Sequence, residues 1–90
     1  MAAVLTAVGE PNRLVLLRLL MDGERCVTQC VEDTGLIQSL VSKHLGRLVD
    51  VGLVTRRRSG RRNYHSVVDP HGLRETLDAA GRLAQLPRPD

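Results

Sequence analysis

Two cysteines are the residues of this chain whose chemistry is most distinctive. Cys26 and Cys30 are four positions apart, and side chains at that spacing lie on the same face of a helix. Thiolates favour soft ions, so the pair is a candidate ligand set for arsenite, Cd(II), Zn(II) or Cu(I). A zinc site needs four ligands and trivalent arsenic favours three, so further ligands must come from elsewhere in the chain or from a second copy. The alternative is that both cysteines are small, buried apolar residues.

A disulfide between these two cysteines is not expected. An undistorted helix holds β-carbons at this spacing about 5–6 Å apart, whereas a disulfide needs about 3.5–4.5 Å. The sequence has no apolar run long enough to cross a membrane, and residues 1–9 lack the basic segment of a signal peptide. We therefore expect a cytoplasmic protein with reduced thiols and no membrane partner.

A second chemical feature is a concentration of positive charge. No acidic residue lies between Asp50 and Asp69, and the formal net charge of +3 divides into +5 for this segment and −2 for the rest. A basic segment on a mildly acidic body indicates a polyanionic partner such as nucleic acid. A solvated loop is the alternative interpretation. The arginines of the segment are Arg56, Arg57, Arg58, Arg61 and Arg62.

The elements that must position these groups follow from hydrophobic spacing and from glycine and proline at the boundaries. The change from helical to alternating spacing after Gly52 predicts a β-hairpin whose basic tip includes Ser59 and Gly60. We expect residues 1–86 to form one domain and residues 87–90 a flexible C-terminal tail. The predicted helices cover residues 1–8, 11–22, 26–34, about 38–51, and a last segment that opens at Asp69 and Pro70; the predicted strands cover 53–58 and 63–68.

The predicted helix 38–51 has two unlike faces. Its apolar stripe is formed by Leu40, Val41, Leu45, Leu48 and Val49. A helix of this kind fits the major groove of B-DNA, and short polar side chains near its N-terminus reach base edges. The polar side carries Gln38, Ser39, Ser42, Lys43 and Arg47, with His44 interpreted as a structural or phosphate-contacting residue.

Two helices joined by a short glycine-containing turn and followed by a basic hairpin form the order of a winged helix-turn-helix. The predicted fold is therefore mainly α, with about five helices and a two-stranded wing. Arginines on such a wing reach phosphates or a neighbouring minor groove. The sequence carries no catalytic arrangement of nucleophile and base, no glycine-rich phosphate loop and no HExxH pattern, so we do not expect an enzyme.

The sequence resembles the ArsR/SmtB family of bacterial metal- and stress-responsive repressors. The resemblance extends over roughly residues 5–68, and it rests on the combination of motifs rather than on any single one. Those motifs are Pro11-Asn12-Arg13-Leu14, Glu24-Arg25-Cys26-Val27, Val41-Ser42-Lys43-His44-Leu45, Leu48, Gly52-Leu53-Val54, and Arg57-Arg58-Ser59-Gly60-Arg61 with Tyr64.

The resemblance implies a homodimer that binds double-stranded operator DNA and is released when an inducer binds. Its dimer interface is implied for the first and last helices, where Leu5, Val8, Leu73, Leu77 and Leu83 supply apolar side chains. No ion is expected to be needed for the fold. The positions that match the family's DNA-reading residues are Gln38, Ser39, Ser42 and Lys43, and those that match its wing are Arg57, Arg58, Arg61 and Arg62.

The resemblance to the family's inducer sites is incomplete. Cys26 matches the first cysteine of the family's thiol motif, whereas Cys30 does not fall on the usual following position. Asp69 and His71 match the opening of a second family site, but Arg82 and Gln85 stand near its later ligand positions and cannot replace them.

A further departure is Ile37, which stands where the family usually has a Ser or Thr that caps the recognition helix, a loss of about 1 kcal/mol. Two other interpretations therefore stay open. One is a constitutive DNA-binding regulator with structural cysteines, and the other is a winged-helix module that binds protein. The retained polar face and the basic wing argue against the second.

Overall fold

The computed structural model describes residues 1–85, and this part of the chain contains five helices and three strands. The predicted fold of five helices with a basic wing is confirmed, and one short strand is added to the wing. The predicted tail 87–90 lies outside the described residues. No helix within residues 1–85 is both long and apolar enough to span a membrane. The elements are α1 (Ala2–Val8), α2 (Pro11–Met21), β1 (Arg25–Cys26), α3 (Val27–Thr34), α4 (Gln38–Asp50), β2 (Val54–Ser59), β3 (Arg62–Val67) and α5 (Pro70–Ala84).

The turn between α3 and α4 is set by a glycine and a threonine. Gly35 adopts a left-handed conformation (φ 73°), and its N–H donates to the carbonyl of Val31 at 2.9 Å. A side chain is disfavoured at this φ, which explains why α3 ends at a glycine. The hydroxyl of Thr34 donates to the carbonyl of Cys30 at 2.6 Å and accepts from the N–H of Leu36 at 3.2 Å. These bonds fix the direction in which α4 leaves the turn.

An aliphatic core holds α4 against the rest of the chain. Val41, Leu45 and Leu48 of α4 are at most 1% exposed, as the predicted apolar stripe requires, and Leu40 and Val49 are half-buried. Burial of a side chain of this size contributes about 1.5–3 kcal/mol. The chain has no Trp or Phe, so its stability depends on such aliphatic contacts. The other core residues are Ala7, Leu16, Leu17, Leu20, Cys30, Val54, Val67 and Leu73.

The predicted dimer face is only partly exposed. Leu5 of α1 and Leu83 of α5 are 56% and 68% exposed, so both remain available to a partner. Val8 and Leu77 are half-buried and pack against the core. Leu73 is 5% exposed and belongs to the core of its own chain, so its assignment to a dimer interface was wrong.

The wing is an antiparallel sheet in which β3 lies between β1 and β2. β2 and β3 pair from Val54 with Val67 to Ser59 with Arg62, and the turn contains Gly60 with φ 61°. The unpredicted strand β1 pairs Cys26 with Tyr64. Two residues are too short to give an alternating pattern, so sequence periodicity could not reveal β1.

The strand β1 corrects the predicted start of α3. Cys26 has extended backbone angles (φ −84°, ψ 169°), and the helix begins one residue later, at Val27. The N–H of Cys26 donates to Oε1 of Gln29 at 2.9 Å, which satisfies a backbone donor where the strand becomes a helix. The two cysteines therefore do not lie on one helix, and the spacing argument for a common helical face does not hold.

A polar junction ties α1, α2 and α4 together. Glu10 caps α2 by accepting from the N–H of Arg13 at 2.8 Å, and this bond holds the pKa of Glu10 below its usual value. The guanidinium of Arg13 donates to the carbonyls of Ala7 at 2.9 Å and Thr6 at 3.3 Å, near the end of α1. Cationic donors satisfy the unpaired carbonyls of a helix C-terminus. Arg13 therefore links α2 to the end of α1 through side-chain hydrogen bonds.

We predict that Arg13→Ala lowers the free energy of unfolding by about 1–2 kcal/mol, because it removes hydrogen bonds from a charged donor to the end of α1. Urea unfolding followed by circular dichroism at one protein concentration measures this, since self-association alters apparent stability. Arg18→Ala is the matched control. Arg18 is exposed on the same helix and makes no side-chain hydrogen bond or ion pair within residues 1–85. Equal losses in the two variants would contradict the prediction.

Candidate nucleic-acid interface

The outer side of α4 is polar and exposed. Because an α-helix repeats every 3.6 residues, burial of Val41, Leu45 and Leu48 leaves the opposite side of α4 in solvent. Ile37 precedes the helix with extended angles and contributes no side-chain cap, as expected, so the first-turn N–H groups of α4 receive no hydroxyl acceptor from this residue. Five sequence-predicted residues are exposed together on this side: Gln38, Ser39, Ser42, Lys43 and Arg47.

His44 does not belong to this face. It is 6% exposed, with Nδ1 3.4 Å from Nη1 of Arg13 and Nε2 3.7 Å from Oε2 of Glu10. Its position three residues after Val41 and four before Leu48 places it on the buried stripe, where it contacts the polar junction with α2. This burial does not support the prediction that His44 contacts DNA, and it favours the structural role that the sequence had left open.

The wing presents arginines in two different states. Arg57 donates to Glu24 through Nε at 3.2 Å and Nη2 at 2.7 Å, and its guanidinium carbon lies 5.2 Å from the ring centroid of Tyr64. This hydrogen bonding lowers the pKa of Glu24 and raises that of Arg57. Arg61 is exposed and makes no hydrogen bond or ion pair within residues 1–85. The charge of Arg57 is therefore partly neutralised, whereas that of Arg61 is available.

The remaining predicted wing arginines are tied to nearby groups but stay exposed. Nε of Arg58 donates to the carbonyl of Gly60 at 3.2 Å, which braces the tip of the hairpin. Nη1 of Arg62 lies 4.0 Å from Sγ of Cys26, so the wing and the start of α3 meet at this thiol. The fifth arginine, Arg56, belongs to the predicted basic segment but was not among the positions matched to the family's wing. It lies opposite His65 in the β2–β3 register, on the part of the wing next to α4.

The two cysteines are free thiols inside the fold. Cys26 is 3% exposed and Cys30 is fully buried, and burial raises the pKa of the Cys30 thiol, with the neighbouring Cys26 adding to the shift. Within residues 1–85, no three His, Cys, Asp or Glu side chains are grouped as a metal site. A soft ion that requires a third His, Cys, Asp or Glu ligand beside these thiols would have to take it from outside the described part of the chain.

The residues that match the opening of the family's second site have local roles. Asp69 caps α5, with Oδ1 accepting from the N–H of Gly72 at 2.9 Å. His71 lies beside Glu75, one helical turn further along α5. Arg82 is exposed on the same helix and Gln85 follows its end, so neither the sequence nor the placement supplies the missing ligands there.

This chain is similar to known proteins both in sequence and in fold. Residues 10–56 match the family described as bacterial regulatory protein, arsR family. A probable mercury resistance operon repressor from Streptomyces lividans is 47% identical over 64 residues, which are 71% of this chain and 51% of that protein. The transcriptional repressor SmtB from Mycobacterium tuberculosis is 34% identical over 82 residues, which are 91% of this chain and 61% of that repressor. The chain thus spans between about half and three fifths of the length of these relatives.

A solved structure agrees with these sequence matches. The homodimeric winged helix-turn-helix DNA-binding domain of a possible ArsR-family regulator from Mycobacterium bovis is 31% identical and superposes with a TM-score of 0.81, over 99% of this chain and 83% of that domain. The resemblance inferred from the sequence motifs is confirmed. Its sequence matches, its five helices and its wing place this chain in the ArsR family of bacterial regulatory proteins, a family of transcriptional regulators and not of enzymes.

Proposed function

We propose that this chain is a dimeric transcriptional repressor that inserts α4 into the major groove of operator DNA. The observation that carries the proposal is the presence of two exposed surfaces on neighbouring elements: the polar side of α4, and the arginines of the wing whose strand β2 contacts α4. Side chains near the N-terminus of α4, such as Gln38, Ser39 and Ser42, have the polar groups that read base edges. The wing arginines supply phosphate contacts that do not depend on sequence.

The dimer uses α1 and α5 in this proposal. Leu5 and Leu83 leave large apolar side chains in solvent, and a second copy of the chain would cover them. The related domain from Mycobacterium bovis is homodimeric, which supports the same assembly here. A two-fold axis would present two α4 helices to half-sites about one turn of DNA apart.

Release by a soft ion is the regulatory part of the proposal. Cys26 lies where the wing strand β1 passes into α3, and its thiol is the one next to Arg62. An ion that draws this sulfur toward Cys30 would move the junction between the wing and the helix-turn-helix. The ligand shifts DNA binding only through its different affinity for the free and bound forms, typically about 1–3 kcal/mol. A relative named for mercury resistance supports an effector of this class.

A constitutive regulator with structural cysteines is the second candidate function. It is favoured by the burial of both thiols and by the lack of a third ligand within residues 1–85. Cys30 belongs to the aliphatic core together with leucines of α2, an environment that suits a small apolar side chain.

The wing is tested by the salt dependence of DNA binding. Arg61→Ala should weaken binding to a duplex selected from a random pool and to random DNA about equally, and should lower the slope of log affinity against log salt by about 1. Arg57→Ala should lower the slope less, because Arg57 must leave Glu24 before it contacts phosphate. Fluorescence anisotropy titrations at several salt concentrations measure both slopes.

Glu24→Gln is the control for this difference. It removes the carboxylate charge that holds Arg57, so a further Arg57→Ala change in this background should cost a full unit of slope. If no arginine substitution on the wing changes the slope, the wing does not contact phosphate.

The proposed dimer predicts a specific effect of charge at Leu83. The parent should sediment as a dimer at micromolar concentration, and Leu83→Glu should shift it to a monomer because two carboxylates would then be buried at the interface. Ile37→Glu is a matched control, since Ile37 is equally exposed at 68% but lies at the start of α4. A monomeric parent that binds one duplex per chain would rule out the proposed assembly.

The sensing hypothesis predicts two variants that bind DNA but do not respond. Cys26→Ser and Cys30→Ala should each retain binding to the selected duplex and lose release by Hg(II), Cd(II) or arsenite, since two thiolates are needed to hold the ion. Circular dichroism checks that both variants fold. If the parent responds to none of these ions, or if both variants respond as the parent does, the cysteines are structural and the constitutive alternative stands.

A further inference from the structure

An open cleft with polar and apolar lining lies between α4 and the wing. It has a volume of about 180 Å³, with Ser42 and Gly46 of α4 on one side and Arg56, Asn63 and His65 of the wing on the other; Val27 and Leu45 supply its apolar lining. Ser42 and Gly46 are one helical turn apart, so both lie on the side of α4 that faces the wing. Arg56 and His65 are directly opposite in the antiparallel register, and cross-strand partners lie on the same face of a sheet. The cleft therefore lies between the two surfaces, the polar side of α4 and the wing, that contact DNA in the proposed function.

Gly46 has no explanation within its own chain. It lies in the middle of α4, where glycine is less favourable than alanine by about 0.5–1 kcal/mol. A β-carbon built at this position meets no atom within 4 Å beyond its chain neighbours and the nearby helix backbone. Packing in residues 1–85 therefore does not require a glycine here. Its effect is to keep one wall of the cleft free of a side chain.

His65 is a second unexplained feature of the same cleft. His65 is 3% exposed, and its Nδ1 atom has no hydrogen-bond partner within residues 1–85. Burial and the nearby charge of Arg56 both lower the pKa of His65, so the neutral imidazole is favoured. A buried polar atom without a partner costs about 1–3 kcal/mol and calls for a specific explanation.

We propose that this cleft holds one phosphodiester group of the DNA backbone, with Arg56 as its charged partner. The inference rests on the proposed DNA binding and assigns a specific contact to an arginine that the family resemblance did not match to the wing. The hydroxyl of Ser42, the amide of Asn63 and the one N–H of a neutral imidazole are further donors in the lining. The missing side chain at Gly46 lets a strand of DNA approach the backbone of α4 closely, as glycine does at other backbone–ligand contacts.

The lining selects an anion over a metal ion. Beside the aliphatic side chains of Val27 and Leu45, it contains a guanidinium and neutral polar groups but no carboxylate or thiol, and a cation would be repelled by Arg56. A free inorganic phosphate shares this chemistry with a DNA phosphate. The cleft lies between α4 and the wing, so a DNA strand that contacts both elements must pass it, which favours the phosphodiester.

Methylphosphonate scanning tests the proposal. In each duplex of a series based on the selected sequence, a single phosphate carries a neutral methyl group in place of one charged oxygen. The parent should lose about tenfold or more in affinity at one phosphate of each half-site, the loss expected for one charge-assisted contact. Arg56→Ala should bind the unmodified duplex correspondingly less tightly and show no further loss at that phosphate. Arg58 is on the same strand but does not line the cleft, so Arg58→Ala is the control. It should weaken binding overall and still lose affinity when that one phosphate is methylated.

A second variant fills the cleft without removing a charge. Gly46→Leu should raise or maintain the urea midpoint, since leucine is the better helix former, and should weaken binding to the selected duplex by about tenfold or more. Unchanged DNA affinity in a folded Gly46→Leu protein would overturn the proposal.

The remaining outcomes separate this proposal from the proposed function. If the parent binds DNA but no phosphate position loses its methylphosphonate effect in Arg56→Ala, the proposed function stands and the assignment of a phosphate to the cleft is refuted. A parent that binds no duplex refutes the proposed function itself, and the cleft proposal with it. Saturable binding of inorganic phosphate to the parent, with a methylphosphonate pattern unaffected by Arg56→Ala, would identify a free-anion site and overturn the assignment to DNA.

Discussion

Burial of one side of α4 against α2, α3 and β2 is the contact on which the other features depend. Val41, Leu45 and Leu48 are removed from water by this packing, and the same 3.6-residue repeat leaves the polar side chains of α4 outside. His44 extends the contact with a polar group that meets Arg13 and Glu10. The exposed face therefore has a fixed direction relative to the core, which a reading helix needs, since a surface that rotated freely could not hold a register on DNA.

The wing is oriented by a different set of contacts. β1 attaches β3 to the start of α3, and the ion pair between Arg57 and Glu24 attaches β2 to the segment just before β1. An exposed ion pair adds little to stability, typically about 0–1 kcal/mol. Its importance here lies in geometry, because it draws the hairpin toward the helix-turn-helix. Cys26 lies within this attachment, so the thiol, the wing and α3 share one short piece of backbone.

The sequence predicted features that depend on neighbours along the chain and missed those that depend on distant partners. Helix boundaries at glycine and proline and the apolar stripe of α4 follow from local spacing, and the structure agrees with them. The burial of His44 was also foreseeable, because it lies three and four positions from Val41 and Leu48 on that stripe. The pairing of Arg57 with Glu24 bridges 33 positions, and no local signal indicates it. The cleft at Gly46 and His65 depends on how the wing folds back on α4, which periodicity does not describe.

The aliphatic core has an optical consequence. Tyr64 is the one aromatic residue among Trp, Tyr and Phe in the whole sequence, and it lies on the wing beneath the guanidinium of Arg57. Near-ultraviolet absorbance and intrinsic fluorescence of the protein therefore originate in the wing, with no background from the core. The chain carries its own chromophore on the central strand of the wing, beside a guanidinium that is ion-paired with Glu24. Any event that displaces Arg57 from that ring has a spectroscopic signature that needs no label.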